Sequence, residues 1–391
     1  MMEAYNQELL LNTMVAEKSE ELYDGNFISI EQLQYINRTL PKLVGSRNII
    51  IRLFFFFLGA FLYASICGMI SLLFLSSWDD STIWNLAPFL FAGIGIVALE
   101  IVITKNLKFY KNGIDDAFVL GAILAFGVAF GLQSDFESWI VSLSVCILAA
   151  LCYFRYLNIP ALLVSTIAFV ATVAFVMIEH MIYGSALLPI LLALISGMVY
   201  NLISNNIDKI SKPHYFLGLK FTKYFSVIVF YLSLNYAVIT ELSAVLMPNL
   251  VANTLSTIMS YLFIILTATL PILYVYKGIK DKDKPLFVIG LLAVAASYAT
   301  LRYYVQFMSV EVEMILGGIL IFFASYFIMR KIKNNLQGVT FLPDRLSTNN
   351  AAQLELLASV AQYGKNTTAT ESSPMEYGGG GFSGGGAGEN F

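Results

Sequence analysis

Ten stretches of the chain run almost without interruption in apolar residues: 49–75, 83–104, 114–132, 139–157, 159–178, 185–204, 221–242, 255–276, 286–304 and 311–329. An α-helix needs roughly 20 such residues to cross a hydrocarbon core of about 30 Å. The length of the runs therefore predicts membrane spans. The tightest junction falls between the fourth and fifth runs, at Tyr156-Leu157-Asn158-Ile159-Pro160, where Pro160 is suited to open the next helix. Pro88, Pro189 and Pro271 fall inside runs and are expected to kink their helices.

The flanks have other patterns. Residues 1–48 mix apolar and charged positions and read as a cytoplasmic helical hairpin, broken at Asp24-Gly25-Asn26. Ser29 precedes Gln32 by three residues, the spacing of a capping box, so a second short helix is expected from there to Ile36. Leu10, Met14, Ile30, Leu33 and Ile36 need cover, which predicts that the hairpin docks on the bundle. Residues 49–329 form the transmembrane bundle. Residues 330–377 read as a cytoplasmic tail with a short amphipathic helix near 347–362, and 378–391 as a flexible Gly-rich end.

The segment Gly25-Asn26-Phe27-Ile28-Ser29-Ile30-Glu31-Gln32, followed by a basic stretch and many apolar helices, resembles an uncharacterised family of bacterial predicted membrane proteins that opens with a G-x-I-s-x-E-Q hairpin. Here Phe27 makes the spacing one residue longer. The resemblance implies a bacterial inner membrane protein and carries no functional residues. The glycine-rich end similarly resembles, in composition, the tails of some bacterial membrane-anchored proteins.

Composition agrees with the pattern: 58% of the 391 residues are hydrophobic and 13% charged, with a mean hydropathy of +0.74. Soluble domains carry about 25% charged residues. The fold class is therefore all-α, a polytopic membrane protein of about ten transmembrane helices. Charge sets its orientation. With the exception of Arg302, near the outer end of the ninth run, Lys and Arg flank the membrane in the N-terminal arm, the even-numbered connections and the C-terminal tail, for example at Lys108, Lys111, Arg155, Lys212, Lys223, Lys280 and Lys333. Acids such as Asp135 and Glu137 mark the odd-numbered connections. Basic residues collect on the cytoplasmic side, so both termini are expected there. The arm lacks a cleavable leader pattern, so the first apolar run is expected to act as an uncleaved anchor.

Candidate chemistry is sparse. Ionisable residues inside a membrane are the default pointers to function, yet the central slab shows none. At the cytoplasmic boundary, Glu100, Asp115 and Asp116 form a candidate ion or headgroup site, with helix capping as the competing reading. At the outer boundary, Arg302 with Glu311 and Glu313 is a candidate ion pair; Glu179-His180 reads as interfacial. Asn235, Thr267 and Ser297 mark a candidate uncharged polar path at mid-depth. Gly127 and Gly131 give a G-x-x-x-G face. Two histidines and three cysteines offer no metal-ligand spacing, and no phosphate loop or nucleophile motif is present, so no cofactor, metal or catalytic residue is expected. In the tail, Phe382 and Phe391 bracket glycines, a candidate peptide ligand.

Two functions stay open. One is a scaffold or subunit of a membrane complex, with membrane lipids around it, a possible protein partner for the tail and no nucleic acid. The alternative is a transporter or flippase for a lipid or small, weakly polar solute. An open cavity at Asn235, Thr267 and Ser297 favours transport, whereas a solid bundle with an apolar hairpin surface favours the scaffold.

Overall fold

The computed structural model describes residues 3–25, 27–46, 48–73, 81–180, 184–207, 213–246 and 257–305, with isolated positions between 309 and 330. The described residues are helical, and no strand occurs among them. The arm contributes α1 (Gln7–Asp24) and α2 (Ile30–Thr39). Asn6 caps α1 through the amide of Glu8 at 2.8 Å. Ser29 and Gln32 form the reciprocal capping box that starts α2.

The bundle follows as α3 (Ile49–Leu73), α4 (Ser81–Ala98), α5 (Ile114–Gln133), α6 (Ser138–Tyr156), α7 (Ile159–His180), α8 (Gly184–Asn206), α9 (Phe216–Leu234), α10 (Tyr236–Leu246), α11 (Thr257–Lys280) and α12 (Lys284–Val305). Among the described residues, nine helices are long and apolar enough to cross a membrane. This is a multi-pass, all-α membrane protein. The tenth expected span, 311–329, is described only at scattered positions, and everything after Arg330 lies outside the described residues.

Two boundaries differ from the apolar pattern. The run 83–104 ends in a π-helical stretch, Leu99–Asn106, that carries Glu100. The run 221–242 is two helices, α9 and α10, parted at Asn235, whose backbone is extended at ψ 127°. Hydropathy could not reveal that break, because a single uncharged polar residue barely lowers a window average. The fourth and fifth spans are separate. Leu157 turns left-handed at φ 54°, and Asn158 Oδ1 accepts from the amide of Ala161 to start α7.

Packing divides the bundle into two apolar clusters. The first joins α3–α7 around Leu99, Val119, Ile123 and Ala161, and includes Tyr5, Leu10 and Leu43 of the arm. The second joins α8–α12 around Ala193, Tyr231, Phe263 and Ala293. In the first, α5 is central: 56% of its span is buried, against 11% for α3. The outward face of α3 is a run of exposed Phe54, Phe57 and Phe61, suited to lipid. Gly127 explains part of the close α5–α6 approach, because a Cβ there would stand 2.8 Å from Val145 Cγ2.

Candidate functional site

The loop from the π-helical stretch to α5 is built by charge burial. Lys108, Lys111 and Gly113 all take positive φ, which curls the backbone. The amides of Lys111, Asn112 and Gly113 thereby converge on the Asp115 carboxylate at 2.8, 3.0 and 2.8 Å. Three N–H donors offset the desolvation of a residue only 4% exposed. Only glycine fits at 113, since a Cβ would overlap the carbonyl of Arg52 on α3. The neighbouring Asp116 accepts from Arg52 Nη2 at 2.6 Å and from Asn158 Nδ2 at 2.7 Å. It thus ties α3, α5 and the start of α7 together.

Glu100 has its own partners. It accepts from Arg155 Nη2 at 2.5 Å and Tyr156 Oη at 3.3 Å, with Lys105 Nζ at 3.9 Å. All three carboxylates expected at the boundary site lie at the same end of the bundle, and donors of the chain itself occupy each. The arrangement locks helix ends.

The arm covers this end. Tyr5 donates to the carbonyl of Phe109 at 3.0 Å and packs edge-on against Tyr110, with ring centroids 5.2 Å apart. Burial, and then the charge of Asp115, pushes the Tyr5 hydroxyl well above its usual range, so it stays a protonated donor. The amide of Ala4 reaches the carbonyl of Arg155 at 2.9 Å. Val44 exchanges backbone bonds with Lys108 and Tyr110, and Lys111 pairs with Glu17 at 3.1 Å. Glu3 meets His214 at 3.1 Å and Tyr215 at 3.2 Å. Three connections that carry basic residues are therefore gripped by one segment.

Away from the bundle, the arm holds several apolar side chains exposed among polar ones. Leu10 is fully buried, and Met14, Leu33 and Ile36 are half-buried. Ile30, by contrast, joins Leu11, Val15, Phe27 and Tyr35 at between 47 and 70% exposure. Docking runs through α1, leaving much of α2 outward.

Between α9, α11 and α12, Asn235, Thr267 and Ser297 do come together. Asn235 Nδ2 donates to Tyr231 Oη at 2.8 Å, which lies 2.8 Å from Ser297 Oγ. Ser297 donates to the carbonyl of Thr267 at 2.6 Å, and Thr267 Oγ1 accepts from the amide of Tyr236 at 2.9 Å. Asn235 Oδ1 also accepts from the amides of Ala237 and Val238, capping α10. These three residues are 3, 0 and 5% exposed. The expected path is a closed network that satisfies a helix break inside the membrane.

Asp283, at the turn before α12, accepts from Tyr224 at 2.7 Å and Lys223 at 3.0 Å. Burial alone would raise its carboxyl, but the bonds from Tyr224, Lys223 and the amide of Leu286 outweigh that and hold it below its ordinary range.

The expected outer ion pair does not form among the described residues. Arg302 donates to Tyr298, one turn back on its own helix, at 3.4 Å; Glu311 is exposed, and Glu313 lies outside the described residues. Glu241 is instead engaged by Tyr304 at 2.5 Å. Phe382 and Phe391 also lie outside the described residues. No group of three or more metal-ligating side chains occurs among the described residues. Sequence reasoning missed Tyr231, although its i−4 spacing from Asn235 was available. It also missed the Glu3–His214 contact, for which no local signal exists. No family model, no curated protein and no solved structure matches the chain.

Proposed function

We propose that this membrane protein is a scaffold, a subunit of a membrane complex that presents its N-terminal arm to a protein partner on the cytoplasmic side of a bacterial inner membrane. One observation carries the reading. The arm is fixed to the bundle by buried contacts at Tyr5 and Leu10, yet holds Leu11, Val15, Phe27, Ile30 and Tyr35 outward. Apolar side chains held outward on a rigid support mark an interaction surface. The cytoplasmic assignment rests on the basic residues of the connections that the arm grips. The Gly-rich tail, on sequence grounds, is a second contact element.

The transporter reading has less support, because the mid-depth polar residues are closed on one another. The test compares wild type with a Phe27→Ser, Ile30→Ser, Tyr35→Ser variant after cross-linking in cells and purification in mild detergent. None of the three side chains is buried, so thermal unfolding stays the same. A specific co-purifying protein that the variant loses supports the scaffold. Equal recovery by both, or no stoichiometric partner, overturns it.

A further inference from the structure

Where the two halves of the bundle meet, α6, α7, α8 and α9 line a partly open cavity of about 210 Å³. Its floor is made of small residues, Ser165, Ser196 and Ser226, at 7, 5 and 5% exposure. Its rim includes Phe169, which is 45% exposed. The space therefore runs from the protein interior out to the lipid-facing surface. All four helices are membrane spans, so hydrocarbon is the solvent at that rim.

The lining is chemically quiet. Ser165 donates to the carbonyl of Cys146 at 3.1 Å, Ser196 to Leu192 at 2.6 Å, Thr222 to Gly218 at 3.0 Å and Ser226 to Lys223 at 2.7 Å. Every hydroxyl proton is thus committed to a helix carbonyl, and no lining residue carries charge. A charged or sugar-like occupant would lose its hydration and find no donor in return. An apolar occupant loses nothing. The volume exceeds the roughly 150 Å³ that accommodates benzene in an apolar protein cavity. Left empty, such a space forfeits the dispersion contacts of its walls.

We infer that this cavity holds one acyl chain of a bilayer phospholipid, inserted sideways past Phe169. The bound chain fills the seam between α7 and α8–α9, so the lipid is a structural ligand joining the two halves. This site is independent of the arm surface, and either proposal can fail alone.

The test places the full-length protein in vesicles containing phosphatidylglycerol with a photoactivatable diazirine in mid-chain. After illumination, labelled peptides are quantified by mass spectrometry. Labelling concentrates on peptides containing Phe169, Val199 and Phe225, about tenfold above the lipid-facing Phe54–Phe61 stretch, as expected for about 1.4 kcal/mol of preference. Ser196→Phe, which fills the floor, removes the excess while leaving the α3 labelling unchanged. Ser226→Leu, a milder filling, lowers it in part and serves if Ser196→Phe does not fold. Uniform labelling of cavity and α3 peptides, or an excess that survives the filling variants, overturns the inference.

Discussion

The carboxylate of Glu3 lies 3.1 Å from Nε2 of His214, a residue 211 positions further along the chain. Both side chains are almost fully buried, and Tyr215 donates to the same carboxylate oxygen. Through this contact the start of the chain reaches the segment that leads into α9, although most of the arm packs on the first half of the bundle. A buried carboxylate that loses one of its donors recovers less of its desolvation cost.

Replacing His214 by Ala therefore loosens the arm. Hydrogen–deuterium exchange over residues 7–39 rises about tenfold, matching the loss of a charge-assisted bond of about 1.5 kcal/mol or more. Exchange in α5 stays unchanged. An arm that remains fully protected in the variant rules out the latch.

Asp283 sets an acid limit on the second half. Its carboxyl titrates below the ordinary range in the folded protein, and near pH 3.9 in the unfolded chain. The stabilisation is thus fully present above about pH 4 and is lost as pH falls through the lower, folded value. Asp283→Asn costs about 1.5–3 kcal/mol at neutral pH and abolishes that acid-dependent component. Thermal unfolding in detergent from pH 3 to 7 distinguishes the two; parallel pH profiles for variant and wild type would falsify the assignment.

Asn235 holds the break between α9 and α10. Asn235→Leu leaves the amides of Ala237 and Val238 without their acceptor and Tyr231 without its donor. The expected cost is about 1–3 kcal/mol, the penalty for buried polar groups left unpaired. Scanning calorimetry of the purified protein reads it. A variant as stable as wild type removes the structural role and reopens a path at this depth.

Topology is tested by single cysteines in a cysteine-free background. A membrane-impermeant maleimide added to intact cells labels Ser134→Cys, in an acidic connection, and spares Asn106→Cys, beside the basic loop gripped by the arm. Reversed labelling inverts the orientation and moves the arm to the outer face.

The spans were legible because burying backbone in hydrocarbon demands long apolar runs, which local sequence records directly. The capping box at Ser29 was legible for the same reason: its partners lie three residues apart. The boundary carboxylates were visible as residues, but their roles were not. Asp115 depends on backbone amides brought round by positive φ at Lys111 and Gly113, and Asp116 on Arg52 and Asn158 from two other elements.

Helicity, repeated membrane crossing and basic residues in alternate connections are written locally along this chain. Those properties come from the solvent, which acts on each segment separately. Packing between distant segments is what closes Asn235, Thr267 and Ser297 on one another, turns Glu100 to Arg155 and leaves Phe27, Ile30 and Tyr35 of the arm outward. Within a bilayer the hydrophobic effect does not choose which helices pair, so that choice falls to close packing and to hydrogen bonds between distant residues. Such contacts leave no periodic trace along the chain.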